Sequence, residues 1–171
     1  MDGSRWKVVG RGAVILGILN VVRLIAEGVV VMVIRRDANV VLYGLLIGAD
    51  ILLSGVSIAG GWVLIRGHDW APTWALFSAG AWFSSSLGLF IWMWPYILGA
   101  LQRISGLAGD VILVPRLLFY ALMIIASPLG AIALLLKREP EGPSRTVLIG
   151  SLIGGLTAGG VYVLLLLIGR H

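Results

Sequence analysis

Residues 13–34 read AVILGILNVVRLIAEGVVVMVI, a continuous stretch of 22 mostly apolar residues. A helix needs about 20 such residues in a row to cross the hydrocarbon core of a bilayer. The same stretch carries Arg23 and Glu27, which lie about one helical turn apart. It therefore predicts a transmembrane helix with an ionisable pair inside the membrane.

Four further hydrophobic stretches follow, separated by short segments that carry charges or prolines. The predicted spans are Ala13–Ile34, Val40–Ile65, Trp74–Leu98, Val111–Leu136 and Thr146–Ile168. Since the segments between them are too short to form a soluble domain, any activity must lie in or at the membrane. The sequence thus predicts an all-α polytopic integral membrane protein. We expect a single transmembrane domain over residues 1–171, folded as a compact bundle of five transmembrane helices with short loops.

The composition agrees with lipid as the surrounding solvent. The chain is 59% hydrophobic and 12% charged, whereas soluble domains carry about 25% charged residues. The absence of cysteine excludes disulfides, iron–sulfur clusters and thiolate metal sites. Eleven arginines against two lysines are typical of a thermophilic source, and equally of a GC-rich genome.

The net charge of +5 reflects basic residues at the ends of the apolar stretches, not a basic soluble surface. We therefore expect no nucleic-acid partner. Basic residues in cytoplasmic segments set the orientation of membrane proteins. With the N-terminus inside, the inner segments hold seven of these residues and the outer segments four. The prediction is a multi-pass protein of the cell membrane with a cytoplasmic N-terminus and an external C-terminus.

Four ionisable residues fall well inside the spans: Arg23, Glu27, Asp50 and Arg116. An isolated charge at the centre of a bilayer costs roughly 2.5–3.5 kcal/mol on insertion scales, so such groups must pair or reach water. At about 1.5 Å per residue, Arg23 and Asp50 share one depth, ~15 Å from the same membrane surface. Glu27 and Arg116 share another depth, ~9 Å from it. The depths predict a charge-neutral cluster that joins the first, second and fourth spans.

Polar residues accompany these charges on two helix faces. Asn20 shares a face with Arg23 and Glu27, while Ser54 and Ser57 share a face with Asp50. Asn20, Ser54 and Ser57 are therefore predicted to support the cluster. The cluster has three candidate roles. The first is to fix the helix pairing, the second is to form a proton or ion pathway or a substrate site, and the third is to contact a partner subunit or lipid headgroup.

Small residues at helical spacing form stripes on the second and fifth spans. Such stripes allow helix backbones to approach closely in lipid. The predicted helix-packing residues are Gly44, Gly48, Gly55 and Ala59 on the second span and Gly150, Gly154 and Ala158 on the fifth. They suit packing within the bundle or a face for a partner. The fifth span carries small residues on two adjacent faces, whereas close contact with a single neighbouring helix requires only one such face.

The sequence lacks the residues that intramembrane chemistry needs. Its two histidines, His68 and His171, lie in a loop and at the C-terminus. Haem ligation, metal binding and activation of a serine by an intramembrane base are therefore not expected. We expect no catalytic residues, no cofactor and no metal.

These features predict a non-catalytic accessory or structural subunit of a larger membrane protein complex, with an energy-transducing, respiratory-type complex as the expected class. The expected partners are the lipid bilayer and other membrane subunits or further copies of the chain. The alternative is a small ion- or proton-coupled transporter or channel that acts as an oligomer, with Asp50 or Glu27 as the protonated site.

Overall fold

The computed structural model describes residues 4–34, 40–101, 107–136 and 142–168, and within them the side chains of residues 6–29, 47–48, 50–95, 114–136 and 142–168. These residues form five α-helices. Their bounds are α1 Ser4–Ile34, α2 Val40–Arg66, α3 Ala71–Leu101, α4 Leu107–Leu136 and α5 Arg145–Ile168. The prediction of an all-α helical bundle is confirmed.

Four of these helices are long and apolar enough to cross a membrane, which makes the chain a multi-pass membrane protein by length and composition. Their membrane-type segments are Trp6–Val29, Ala71–Pro95, Val114–Leu136 and Arg145–Ile168. The sequence predicted five spans, and the remaining one is α2. Only part of its N-terminal half lies within the described side chains, so its crossing stays a prediction. Its 27 residues give a length of about 40 Å, sufficient for a span.

The outward surface of the bundle is apolar. Large aliphatic side chains such as Leu52, Leu118 and Leu136 are 73%, 65% and 79% exposed. A soluble monomer rarely exposes extended apolar patches, because their contact with water is unfavourable. Lipid chains are the environment that suits this surface.

The helices extend past the apolar stretches that predicted them. α1 begins at Ser4, nine residues before the predicted span, because a helix can continue through the interfacial region. The end of α2 is set locally by Gly67, whose φ of 75° turns the chain so that the His68 N–H donates to the Val63 carbonyl at 3.4 Å. α5 begins after Ser144, whose hydroxyl accepts a bond from the Val147 N–H at 3.4 Å.

The bundle consists of two groups of helices. α1 packs extensively against α2, and α3 packs extensively against both α5 and α4. The two groups meet less extensively, mainly through α2 with α3 and α1 with α4. We call these groups the α1–α2 pair and the α3–α4–α5 group.

Glycines set the close approaches within each group. In the α1–α2 pair, an added Cβ on Gly10 would lie 2.6 Å from the Gly61 carbonyl oxygen, so only glycine fits. In the α3–α4–α5 group, a Cβ on Gly80 would lie 2.6 Å from the Leu152 carbonyl oxygen, and a Cβ on Gly155 would overlap the Phe77 carbonyl. Backbone contacts of this kind are what small residues provide in lipid.

Most of the predicted packing stripes lie away from these contacts. Gly55, Ala59, Gly150 and Ala158 are exposed. A Cβ on Gly48, Gly55 or Gly150 would meet nothing within 4 Å. Among the described residues, the prediction of packing within the bundle is wrong for the exposed Gly55 and Gly150, because the neighbouring helices lie on other faces of α2 and α5. Gly48 is partly buried next to side chains outside the described residues, and its packing stays a prediction.

The two other stripe glycines have different outcomes. Gly154 lies near the Phe77 ring, with an added Cβ at an ordinary 3.7 Å from it. Gly44 lies outside the described side chains. On α5 the close contact with α3 is made instead by Gly155 and Gly159, one residue along from the predicted stripe.

Candidate functional site

The structure brings the four intramembrane charges together. Arg23 Nη1 lies 2.9 Å from Glu27 Oε2, and Arg23 Nη2 lies 3.5 Å from Asp50 Oδ2. Arg116 Nη1 lies 3.2 Å from Glu27 Oε1, as an ion pair and not an aligned hydrogen bond. Glu27 is therefore the central acid, with one oxygen toward each arginine. We call these four residues the charge cluster.

The charge cluster is buried and electrically neutral. Glu27, Asp50 and Arg116 are 5%, 2% and 8% exposed. The two pairs that depth alone matched, Arg23 with Asp50 and Glu27 with Arg116, are both in contact. Because two cations face two anions, desolvation is offset by pairing at close range, whereas removal of one member would leave a buried charge uncompensated.

Asn20 links the charge cluster to the packing of α1 on α2. Its side-chain oxygen accepts a hydrogen bond from Arg23 Nε at 2.9 Å, and its Nδ2 donates to the Ser54 hydroxyl at 2.9 Å. The Ser54 hydroxyl donates in turn to the Asp50 backbone carbonyl at 2.7 Å. Asn20 and Ser54 thus fix the Arg23 guanidinium without touching the Asp50 carboxylate.

Ser57 does not take part in the charge cluster. Its hydroxyl donates to the Ala13 carbonyl of α1 at 3.2 Å. The prediction that Ser57 supports Asp50 is corrected, because Ser57 lies nearly two turns further along α2 than Asp50 and meets the backbone of α1 there. It contributes to helix pairing instead.

Two aromatic residues of α4, Phe119 and Tyr120, lie against the charge cluster, and the sequence analysis did not predict them. The Arg23 guanidinium carbon lies 5.1 Å from the centre of the Phe119 ring and 5.9 Å from that of Tyr120. The guanidinium carbon of Arg116 lies 6.0 Å from the Tyr120 ring centre. Cation–π contacts of this length are favourable, more so where water is excluded. The signal was present, since Phe119 and Tyr120 follow Arg116 by three and four residues and share its helix face.

Tyr162 brings α5 to the site. Its hydroxyl approaches the Asp50 carboxylate but makes no aligned hydrogen bond among the described residues. Nothing in the sequence indicated this contact, because Tyr162 lies among aliphatic residues far from the other members. The charge cluster and its surroundings therefore join α1, α2, α4 and α5, one helix more than predicted.

The chemistry that this arrangement supports is electrostatic. Within the described residues, no three His, Cys, Asp or Glu side chains lie close enough together to hold a metal ion. The geometry provides charge pairing, helix orientation and two buried carboxylates.

These features define the class as a polytopic helical membrane protein with a buried, charge-neutral ion-pair cluster. Comparison of the chain with protein-family models, curated proteins and solved structures gave no match.

Proposed function

We propose that the chain is a non-catalytic accessory or structural subunit of a larger membrane protein complex, with energy-transducing complexes as the expected class. The observation that carries this proposal is the pairing within the charge cluster. Each carboxylate has an arginine partner at 3.5 Å or less. A closed, neutral arrangement of this kind suits a group that orients helices.

The exposed small-residue stripes give this proposal its partner surface. Gly55 and Ala59 on α2 are exposed, as are Gly150 and Ala158 on α5, and a Cβ on either glycine would meet none of the described neighbours within 4 Å. Small residues that no internal contact requires suit the backbone of another transmembrane helix.

Native gel electrophoresis of the tagged protein from its own membrane tests this function. We expect migration with a large complex. Gly55→Leu or Gly150→Leu should release the chain from that complex, because the added side chain keeps the partner helix away. Gly160→Leu is the matched control, since Gly160 also faces open space but lies outside both stripes. Migration of the unaltered chain alone or as a small homo-oligomer would contradict the proposal.

The second candidate is an ion- or proton-coupled transporter, and the Asp50 pairing favours it. The contact of Asp50 with Arg23, at 3.5 Å, is longer than the 2.9 Å contact of Glu27 with the same arginine. A buried acid that lies between two groups of helices, with its arginine contact at this longer distance, is suited to gaining and losing a proton. Intramembrane acids commonly mark such pathways.

Asp50→Asn separates the two functions. For a transporter, we expect proton or ion flux in proteoliposomes to be lost while the protein still assembles, because asparagine keeps the shape but not the titration. For a structural subunit, we expect the variant to be less abundant or to assemble more weakly. Neither the variant nor the unaltered protein should then show flux. Flux that persists in the variant would exclude Asp50 as the coupling site.

A further inference from the structure

A cavity of about 210 Å³ lies between the α1–α2 pair and the α3–α4–α5 group, in the half of the bundle away from the charge cluster. Trp82 and Met123 line it, as does Leu16 on α1. The other lining residues are mostly small: Gly12, Gly60, Ala75, Ala79, Ala126 and Gly130. Residues of this size leave room between helices that larger side chains would fill.

Helix packing explains Gly60 but not Gly12 or Gly130. At Gly60 the packing is close, since a Cβ would lie 2.9 Å from the Trp74 ring. At Gly12 and at Gly130, by contrast, a Cβ would meet nothing within 4 Å. Glycine inside a helix costs about 1 kcal/mol relative to alanine. Glycine at these two positions makes no close helix contact, and its effect is to leave the cavity open.

The same two glycines indicate where the cavity opens. α1 and α4 are in contact near the charge cluster, where Glu27 pairs with Arg116. Toward the start of α1 and the end of α4, Gly12 and Gly130 face open space. We therefore place the mouth between α1 and α4, within their membrane-type segments, where acyl chains have access to it.

The shape of the cavity fits one linear hydrocarbon chain. Its lining runs from Val9 to Leu16 on α1 and from Ser57 to Leu64 on α2, each about 10 Å along the helix axis. The lining thus extends about 10 Å along the helices for a volume of about 210 Å³, an elongated form that suits one hydrocarbon chain. An apolar cavity of about 150 Å³ accommodates benzene, so this one has room for roughly eight carbon atoms.

The end of the bundle next to the cavity is basic. Among the side chains that the structure describes, Lys7 and Arg11 on α1, Arg66 at the end of α2 and Arg145 at the start of α5 are all exposed there, with Asp69 as the exposed acid. Basic side chains at a membrane surface attract anionic lipid headgroups by about 1 kcal/mol each.

We propose that this cavity binds the hydrocarbon chain of an anionic lipid, whose headgroup lies among the basic side chains at this end of the bundle. A chain that enters between α1 and α4 runs from the membrane surface toward Trp82 and Met123. Its stabilisation comes from dispersion contacts with the cavity walls, since it leaves an environment that is already apolar. The headgroup adds the electrostatic attraction.

Photo-crosslinking of the full chain in phosphatidylcholine vesicles tests this site. The probe is phosphatidylglycerol with a diazirine near the end of one acyl chain, and mass spectrometry maps the adducts. We expect adducts on the peptides that carry Trp82 and Met123, besides those on outward faces. Gly12→Leu and Gly130→Leu should each lose the cavity adducts and keep the outward ones. Gly160→Leu, the matched control at an open glycine outside the cavity, should keep both.

Two further probes carry the same diazirine on phosphatidylcholine and on a free fatty acid. Stronger cavity labelling by phosphatidylglycerol assigns the site to a phospholipid, and stronger labelling by the free acid assigns it to a fatty acid. Equal labelling by phosphatidylcholine would contradict the anionic headgroup. Cavity adducts that persist in both leucine variants, while each variant remains monodisperse, would overturn the proposal.

Discussion

Glu27→Gln is expected to destabilise the protein by about 3–5 kcal/mol, the range for breaking a buried ion pair by removing one partner. Glu27 offers one oxygen to Arg23 and the other to Arg116. The change removes the one acid that both arginines share and leaves a net positive charge in the bundle. The measurement is the unfolding midpoint of the purified protein as the proportion of denaturing detergent is raised.

The double variant Glu27→Gln/Arg116→Gln provides the control. It removes one charge of each sign, so Arg23 and Asp50 remain as a neutral pair. If the loss of stability arises from uncompensated charge, the double variant should recover most of that stability. A loss of stability caused by altered side-chain packing would not be recovered. A single variant as stable as the unaltered protein would contradict a role for Glu27 in holding α1 to α4.

The sequence predicts those parts of the fold and site that depend on local pattern and depth. The length of each apolar stretch identifies the helices, because the thickness of the hydrocarbon core sets a minimum length. Arg23 and Glu27 are matched by spacing along one helix. Asp50 and Arg116 are matched to them by depth, because an unpaired charge in lipid is costly.

The rotation of each helix about its axis is what the sequence could not supply. Gly154 and Gly155 both follow small residues at a spacing of four, and only the position of α3 decides that Gly155 makes the contact. Similarly, Tyr162 reaches Asp50 because α5 is turned with that face inward. Apolar residues surround each helix in a membrane protein, so the hydrophobic pattern does not reveal the inner face.

Gly155→Leu is expected to prevent stable packing of α5 on α3, with an effect of about 3 kcal/mol or more. Even a Cβ at this position would overlap the Phe77 carbonyl, and it would lie 3.0 Å from the Ala81 nitrogen. Both atoms belong to the α3 backbone and cannot rotate away as a side chain could, so the two helices must separate. Because α3 packs extensively against α5, separation exposes much of that interface.

Gly150→Leu is the matched control, since it places the same side chain on the same helix five residues earlier, where a Cβ meets nothing within 4 Å. We expect this variant to keep the unaltered unfolding midpoint in detergent and a single monodisperse peak on gel filtration. Gly155→Leu should lower the midpoint and broaden or abolish the peak, and Gly155→Ala should fall between the two. Equal behaviour of the two leucine variants would show that the α3–α5 contact does not run through Gly155.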